Sequence, residues 1–193
     1  MARIDFYFDF ISPYAYLAWW EVTRRARERG DDVVPIPVLF AGLLQHHGQR
    51  GPAEIPAKRA WLVRDTLRQA QRMAVPFTLP ATHPFRPVTA LRLALPEVAG
   101  EERVEVVEAL WRHGWQRGGE LGEDAALVAA LVAAGLDGAA LLARAGEPHA
   151  KARLREVTEA AIARGVFGVP TMVAADELFW GSDRVDDVFR HLD

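Results

Sequence analysis

The chain has 193 residues, half of them hydrophobic, with a formal net charge of −3 and no cysteine. This length allows one domain, or one domain with an insertion, to bury a full core. The weakly acidic charge balance gives no electrostatic reason to expect a nucleic acid or an anionic membrane as a partner. The lack of cysteine excludes disulfides and thiolate metal sites.

The most apolar stretch of the chain, residues 125–136, is too short to span a bilayer. The N-terminus lacks the basic segment and the long apolar run of a secretion signal. We therefore expect a cytoplasmic protein without membrane contact. The six histidines show no ligand spacing, so no metal site is predicted.

A β-α-β unit is predicted at the start of the chain. Residues 3–10 form an apolar strand, and a helix follows with Ser12 as N-cap and Pro13 at the first helical position. This helix ends at Gly30. Residues 33–38 are predicted to form a second strand, in which two prolines indicate a sheet edge or a frayed pairing. The order β-α-β implies a right-handed crossover and a parallel strand pair.

Helical spacing of apolar residues then dominates the middle of the chain. It predicts helices over residues 60–74, 88–95, 101–117, 124–134, 138–145 and 148–164. Strand signals return at residues 170–174 and 177–180, and a last helix begins near Ser182. A sheet interrupted by a helical insertion explains this order better than two consecutive domains.

The predicted fold class is therefore α/β, with an all-helical insertion in the sheet domain. Residues 1–45 and 148–193 are assigned to the sheet domain and residues 46–147 to the insertion. The segment 48–56, rich in glycine and proline, is the expected hinge.

Ser12 is the first candidate functional residue. A hydroxyl at a helix N-terminus lies where free N–H groups and the helix dipole favour negative charge. Such a site would stabilise a thiolate that a bound small molecule supplies. The alternative is a plain helix cap.

A second candidate is the run Gly168-Val169-Pro170-Thr171, which enters a strand. A trans proline that simply starts the strand is one interpretation. The other is a cis Val169–Pro170 bond, with the backbone groups of Val169 available to an extended, peptide-like ligand.

Polar residues near the end of the chain form a third candidate. Ser182 and Asp183 precede the last helix, where one of them acts as a cap. Together they suit an amino-acid zwitterion, because donors would hold its carboxylate and Asp183 its ammonium group. Lys58 and Arg59 lie at the start of an inserted helix. They either form a solvated positive face or attract an anionic ligand.

The combination and order of four motifs resemble the 2-hydroxychromene-2-carboxylate isomerase family. These motifs are DFISPYAYLA at residues 9–18, PAKR at 56–59, GVFGVPT at 165–171 and FWGSDR at 179–184. That family is related to kappa-class glutathione transferases within the disulfide-oxidoreductase-like group of thioredoxin folds. The resemblance covers essentially the whole chain. It implies a thioredoxin-like fold interrupted by an all-helical insertion, glutathione as cofactor, and a homodimer.

The resemblance also implies roles for individual residues in binding glutathione. Ser12 would contact the sulfur, and Val169, ahead of Pro170, would pair with the cysteinyl backbone. Ser182 and Asp183 would form the γ-glutamyl site. The family often has an asparagine in the hinge, where this chain reads Gly-Gln-Arg-Gly over residues 48–51.

Further expectations concern the substrate, a small aromatic carboxylate. Lys58 would face the glycyl end of glutathione or the acidic substrate, and Tyr14 and Arg59 would also contact the substrate. The implied reaction interconverts 2-hydroxychromene-2-carboxylate and trans-o-hydroxybenzylidenepyruvate by reversible thiolate addition. The alternatives are a kappa-like glutathione transferase or peroxidase, and a non-catalytic thioredoxin-fold module that binds peptides.

Overall fold

The computed structural model describes residues 1–80 and 82–193. Its four-stranded sheet has the order β2-β1-β3-β4, with the strands β1 (Arg3–Phe8), β2 (Asp32–Pro37), β3 (Thr171–Ala174) and β4 (Glu177–Trp180). β1 and β2 are parallel, whereas β3 runs antiparallel to both β1 and β4. The predicted parallel pair is confirmed, and so is the edge position of the proline-containing β2.

Most of the helices lie between β2 and β3, one joins β1 to β2 and one follows β4, and together they cover the sheet. They are α1 (Pro13–Arg29), α2 (Phe40–His46), α3 (Pro56–Met73), α4 (Val88–Leu93), α5 (Pro96–Ala99), α6 (Arg103–Trp111), α7 (Asp124–Ala133), α8 (Gly138–Gly146), α9 (Pro148–Ala163) and α10 (Val185–His191). Gly30 ends α1 in the left-handed conformation, with φ of 74°. The predicted N-cap and C-cap of α1 are therefore both confirmed.

Several details differ from the sequence prediction, among them the short helix α5, which was not predicted. β1 stops at Phe8, because the side chain of Asp9 accepts the N–H of Ile11 and closes a turn there. α2 was not predicted; it has only seven residues, about two turns, which is too short for a helical period to stand out in the sequence. The helix predicted over residues 101–117 ends as α6 at Trp111 and continues as a π-helical turn, Arg112–Gln116.

β1 contributes to the core on both of its faces. Phe6, Phe8 and the following Phe10 point into the larger cluster, where Phe8 and Phe10 lie 5.6 and 4.6 Å from Trp111 between ring centroids. Tyr7 points the other way, into a smaller cluster that includes Val169. This alternation is the period of two that a strand imposes. It places the carboxyl end of β1 between two packed layers.

The helical segment and the sheet share the larger cluster, so the all-helical insertion packs directly on β1. The division at residues 45/46 and 147/148 stays a prediction. In the part of the chain that the structure describes, no helix has the length and apolarity needed to cross a membrane.

Candidate functional site

The turn between β1 and α1 holds Ser12 at the N-terminus of a 17-residue helix. Its Oγ accepts the N–H of Ala15 at 3.1 Å, and its own N–H donates to the carbonyl of Asp9 at 3.0 Å. Among residues 1–80 and 82–193, the hydroxyl hydrogen has no acceptor. Ser12 therefore has an O–H donor left for a ligand, beside the positive end of the helix dipole.

The buried side chain of Asp9 holds this turn in place through hydrogen bonds. Its two carboxylate oxygens accept the N–H groups of Ile11 and Phe40, each at 3.0 Å, and its side chain is almost fully buried. The carboxylate thus ties the residue before Ser12 to the start of α2. Burial raises the pKa of Asp9 to about 7, although the two backbone N–H groups oppose this shift.

Asp9→Asn is expected to remove a pH dependence of stability. A carboxyl group with a raised pKa in the folded state binds more protons than the unfolded chain between about pH 4 and 7. The contribution of Asp9 to the free energy of unfolding is therefore fully present at acidic pH. It is lost as the pH rises, by about 2 kcal/mol between pH 5 and 7. Urea unfolding at several pH values would measure this slope in the wild type and in the variant.

The matched control is Asp176→Asn, in the exposed turn between β3 and β4, where asparagine also accepts the positive φ. This variant should keep the wild-type slope. An unchanged slope in Asp9→Asn would show that Asp9 does not titrate in this range.

The opposite wall of the site comes from the segment before β3. The Val169–Pro170 bond is cis, as predicted. The His83–Pro84 bond, for which no prediction was made, is cis as well. The carbonyl of Pro170 accepts the N–H of Gly181 at 3.0 Å, and the Thr171 hydroxyl donates to the carbonyl of Gly168 at 2.7 Å. In the described residues neither backbone polar group of Val169 has a partner. Both are available to an extended ligand.

A cleft of about 700 Å³ lies between these two walls and includes Ser12, Tyr14 and Val169 in its lining. Its lining includes the aromatic residues Tyr14, Phe40, Phe85, Phe167 and Trp180. Arg50 and Arg86 also line it, and neither is paired with a carboxylate in the described part of the chain. The cleft therefore combines a planar apolar surface with free positive charge, which suits an aromatic anion.

The remaining predicted residues lie around this cleft and not in its lining. Lys58 is exposed in an adjoining pocket of about 410 Å³, which Tyr14 and Trp61 also line. Arg59 donates to the backbone carbonyl of His83 at 2.8 Å, so it fixes the loop before α4. Pro170 is buried behind Val169.

Ser182 and Asp183 lie on the 3-10 turn after β4. The Ser182 hydroxyl donates to Gln69 Oε1 at 3.1 Å, and Gln69 Nε2 donates to Asp65 at 2.7 Å. Asp65 also accepts the Tyr14 hydroxyl at 3.0 Å. This chain of hydrogen bonds connects the turn after β4 to the first turn of α1.

Two carboxylates influence the pKa of Tyr14, which ends this series of hydrogen bonds. Burial and the charges of Asp65 and Asp183 all raise the pKa of the Tyr14 phenol well above its usual range. Asp183 is exposed and pairs with the neighbouring Arg184 at 3.0 Å. The region thus offers two carboxylates and a serine hydroxyl to an ammonium group.

Sequence reasoning missed Asp65, Gln69, His83 and Arg86. Asp65 and Gln69 are one helical turn apart on α3, and this i,i+4 spacing was the one sequence signal that could have paired them. His83 and Arg86 lie in a loop without a motif. No group of three or more potential metal ligands occurs in the described residues.

Comparisons with known proteins agree with this geometry. The sequence matches the DSBA-like thioredoxin domain over residues 3–193. It is 32% identical over 192 residues to 2-hydroxychromene-2-carboxylate isomerase of Sphingobium xenophagum, which covers 98% of this chain and 97% of that protein. It is 27% identical over 201 residues to glutathione S-transferase kappa 1 of Rattus norvegicus, with 95% and 87% covered.

A solved structure of 2-hydroxychromene-2-carboxylate isomerase has a TM-score of 0.90 to this chain at 27% identity, covering 98% of this chain and 94% of that one. The predicted thioredoxin-like fold is thereby confirmed. The chain belongs to the DSBA-like thioredoxin domain family, in the group that also contains 2-hydroxychromene-2-carboxylate isomerases and kappa-class glutathione transferases.

Proposed function

We propose that this chain is a glutathione-dependent isomerase that interconverts 2-hydroxychromene-2-carboxylate, or a similar aromatic acid, and trans-o-hydroxybenzylidenepyruvate. The main support is the Ser12 hydroxyl at the N-terminus of α1 and the backbone groups of Val169, which line one cleft and have hydrogen-bonding capacity left over in the part of the chain that the structure describes. The chain has no cysteine of its own. A thiol for this site has to come from a bound molecule.

The residues present fit glutathione. The N–H and C=O of Val169 match the backbone of its cysteinyl residue, as an added strand would. Asp65, Ser182 and Asp183 lie on one side, where they would hold the γ-glutamyl ammonium and carboxylate groups. Lys58, on the first turn of α3, would face the glycyl carboxylate.

When bound, glutathione would supply a thiolate that adds reversibly to the conjugated double bond of the opened substrate and allows that bond to rotate. Ser12 would stabilise the negative charge on this sulfur. A free thiol has a pKa of about 8.5, so a few per cent ionises at neutral pH. The Ser12 O–H and the α1 N-terminus both favour the anion, and about 1.4 kcal/mol of such preference lowers the pKa by one unit.

The cleft itself indicates the substrate class. Phe40, Phe85 and Trp180 provide apolar surface for a planar ring. Arg86 and Arg50 are placed to bind the carboxylate, since both line the cleft without an acidic partner in the described residues. Arg59 is already engaged with the His83 carbonyl, so its contact to substrate would be indirect.

The resemblance also supports a homodimer and a cytoplasmic location as parts of this proposal. Trp61 and Leu67 on α3 are 54% and 42% exposed, and a second copy would cover such apolar surface. The predicted division into residues 1–45 with 148–193 and 46–147 belongs to the same proposal.

The test monitors conversion of the chromene acid by its absorbance, while the concentration of free thiol is measured in the same reaction. With saturating glutathione we expect isomerisation and an unchanged thiol concentration. S-methylglutathione, which keeps every contact except the thiol, is the matched control and should not support turnover. Stoichiometric formation of a stable thioether, seen by mass spectrometry without isomerisation, would favour the kappa-like transferase instead. Binding of glutathione-like peptides without any turnover would favour the binding module.

A further inference from the structure

His83 lies in the loop before α4 and is held rigidly beside the site. Its side chain lines the cleft together with Ser12, yet the residue is only 7% exposed. Its ring packs edge-on against Trp115, at 5.4 Å between centroids, and contacts Phe85 at 6.0 Å. The guanidinium of Arg59 fixes its backbone carbonyl. The orientation of the imidazole is therefore set before a ligand binds.

The hydrogen bond of the imidazole determines its tautomer. Nε2 lies 3.0 Å from the carbonyl oxygen of Ile11, the residue before Ser12. Because a carbonyl oxygen only accepts, Nε2 carries the hydrogen. Burial and the charge of Arg59 lower the pKa of His83, which keeps the ring neutral near pH 7. Nδ1 of this tautomer is an unprotonated, basic nitrogen.

We propose that His83 is the acid–base catalytic residue that opens the hemiketal ring of the substrate. This inference rests on the proposed function, since it concerns the step that precedes rotation of the double bond. It assigns a role to a residue that the mechanism above does not use. Among the described residues, His83 is the one histidine in the lining of the cleft.

His83 would take up one proton in this step and give it back, so no net proton leaves the site. Nδ1 removes the proton from the hemiketal hydroxyl, and the O–H electron pair forms the ketone carbonyl. The bond between that carbon and the ring oxygen breaks and leaves a phenolate. The imidazolium then returns its proton to the phenolate oxygen. Neither an oxidant nor a further reactant is needed.

Asp9 is less suited to this role, although it also lines the cleft. Both of its carboxylate oxygens already accept backbone N–H groups, from Ile11 and Phe40. Removing a proton with either oxygen would weaken a bond that holds the turn before Ser12. Among residues 1–80 and 82–193, His83 makes its side-chain hydrogen bond through Nε2 alone, so Nδ1 takes up a proton without such a loss.

His83→Gln separates the catalytic role from the structural one. The glutamine amide N–H replaces Nε2–H toward Ile11, but glutamine has no basic nitrogen. We expect kcat to fall about a hundredfold to a thousandfold, with glutathione affinity within twofold of wild type. His46→Gln, on an exposed histidine at the end of α2, should keep full activity. A kcat for His83→Gln within threefold of wild type would overturn the proposal.

A measurement on the glutathione-free wild-type protein tests the same inference without relying on a folded variant. Long-range proton–nitrogen NMR of the histidine side chains should show His83 as the neutral Nε2–H tautomer at pH 7. An Nδ1–H tautomer or an imidazolium would overturn the proposal. Absence of isomerisation by the wild-type enzyme would instead contradict the proposed function, so the two failures are distinguishable.

Discussion

Ser12→Ala is expected to slow turnover tenfold to a hundredfold while glutathione affinity stays within a few fold. The hydroxyl hydrogen has no acceptor among the described residues and could bond the sulfur, whereas Val169, Ser182 and Asp183 would hold the rest of the molecule. Loss of a hydrogen bond to a charged atom costs about 1.5–3 kcal/mol, which corresponds to this range of rates. Steady-state kinetics and calorimetric titration with glutathione would measure the two quantities separately.

Ser12 is also a helix cap, and this second role needs its own control. Loss of the bond to Ala15 should lower the free energy of unfolding by about 1 kcal/mol. Asp137→Ala removes the equivalent cap of α8, where Oδ1 accepts the N–H of Ala140 at 3.0 Å. It should cost similar stability without slowing turnover. If Ser12→Ala kept the wild-type kcat, Ser12 would be a helix cap alone.

Trp115→Phe is expected to destabilise the protein by about 1–3 kcal/mol more than Trp111→Phe. Both indoles are fully buried, but Trp115 Nε1 donates to the carbonyl of Phe10 at 2.8 Å. Trp111 Nε1 has no partner among the described residues. The first substitution leaves a buried carbonyl unsatisfied, whereas the second removes an unsatisfied N–H. Chemical denaturation of both variants gives the comparison.

The two variants control for each other, because both replace an indole by the same smaller ring in one core cluster. Equal losses of stability would mean that the bond to Phe10 contributes little beyond packing. A larger loss in Trp111→Phe would contradict the expectation outright.

Local sequence signals predicted the β1–α1 part of the site correctly, whereas the expected cap of the last helix by Ser182 or Asp183 was wrong, because α10 begins without a side-chain cap among the described residues. Ser12 and Pro13 identified the start of α1, and Gly30 identified its end, because capping depends on residues that are neighbours in the chain. The prolines of β2 placed that strand at an edge for a similar reason. These features need no knowledge of the tertiary structure.

Contacts between distant residues could not be predicted in this way. His83 approaches Ile11 across 72 positions of sequence, and Ser12 and Val169 line one cleft only after the sheet has formed. The π-helical turn that aims Trp115 at Phe10 has no local signature either. Gly114 in this turn does have a packing reason, since a Cβ there would lie 2.2 Å from the Leu121 side chain.

The resemblance to a family supplied what local signals could not, yet it gave no role to Asp65, His83 or Arg86. These three residues became candidates because of what their side chains contact or line. None of them belongs to a motif quoted from the sequence.

The aromatic packing of β1 has a consequence for how the molecule could be divided. Phe8 and Phe10 make ring contacts with Trp111, and Trp115 bonds the backbone of Phe10 two residues before Ser12. Excising the helical segment would expose these rings and release the turn that presents the serine. The helical segment is thus no detachable module: a shortened chain would lose part of its core and the geometry of the Ser12 turn in one step.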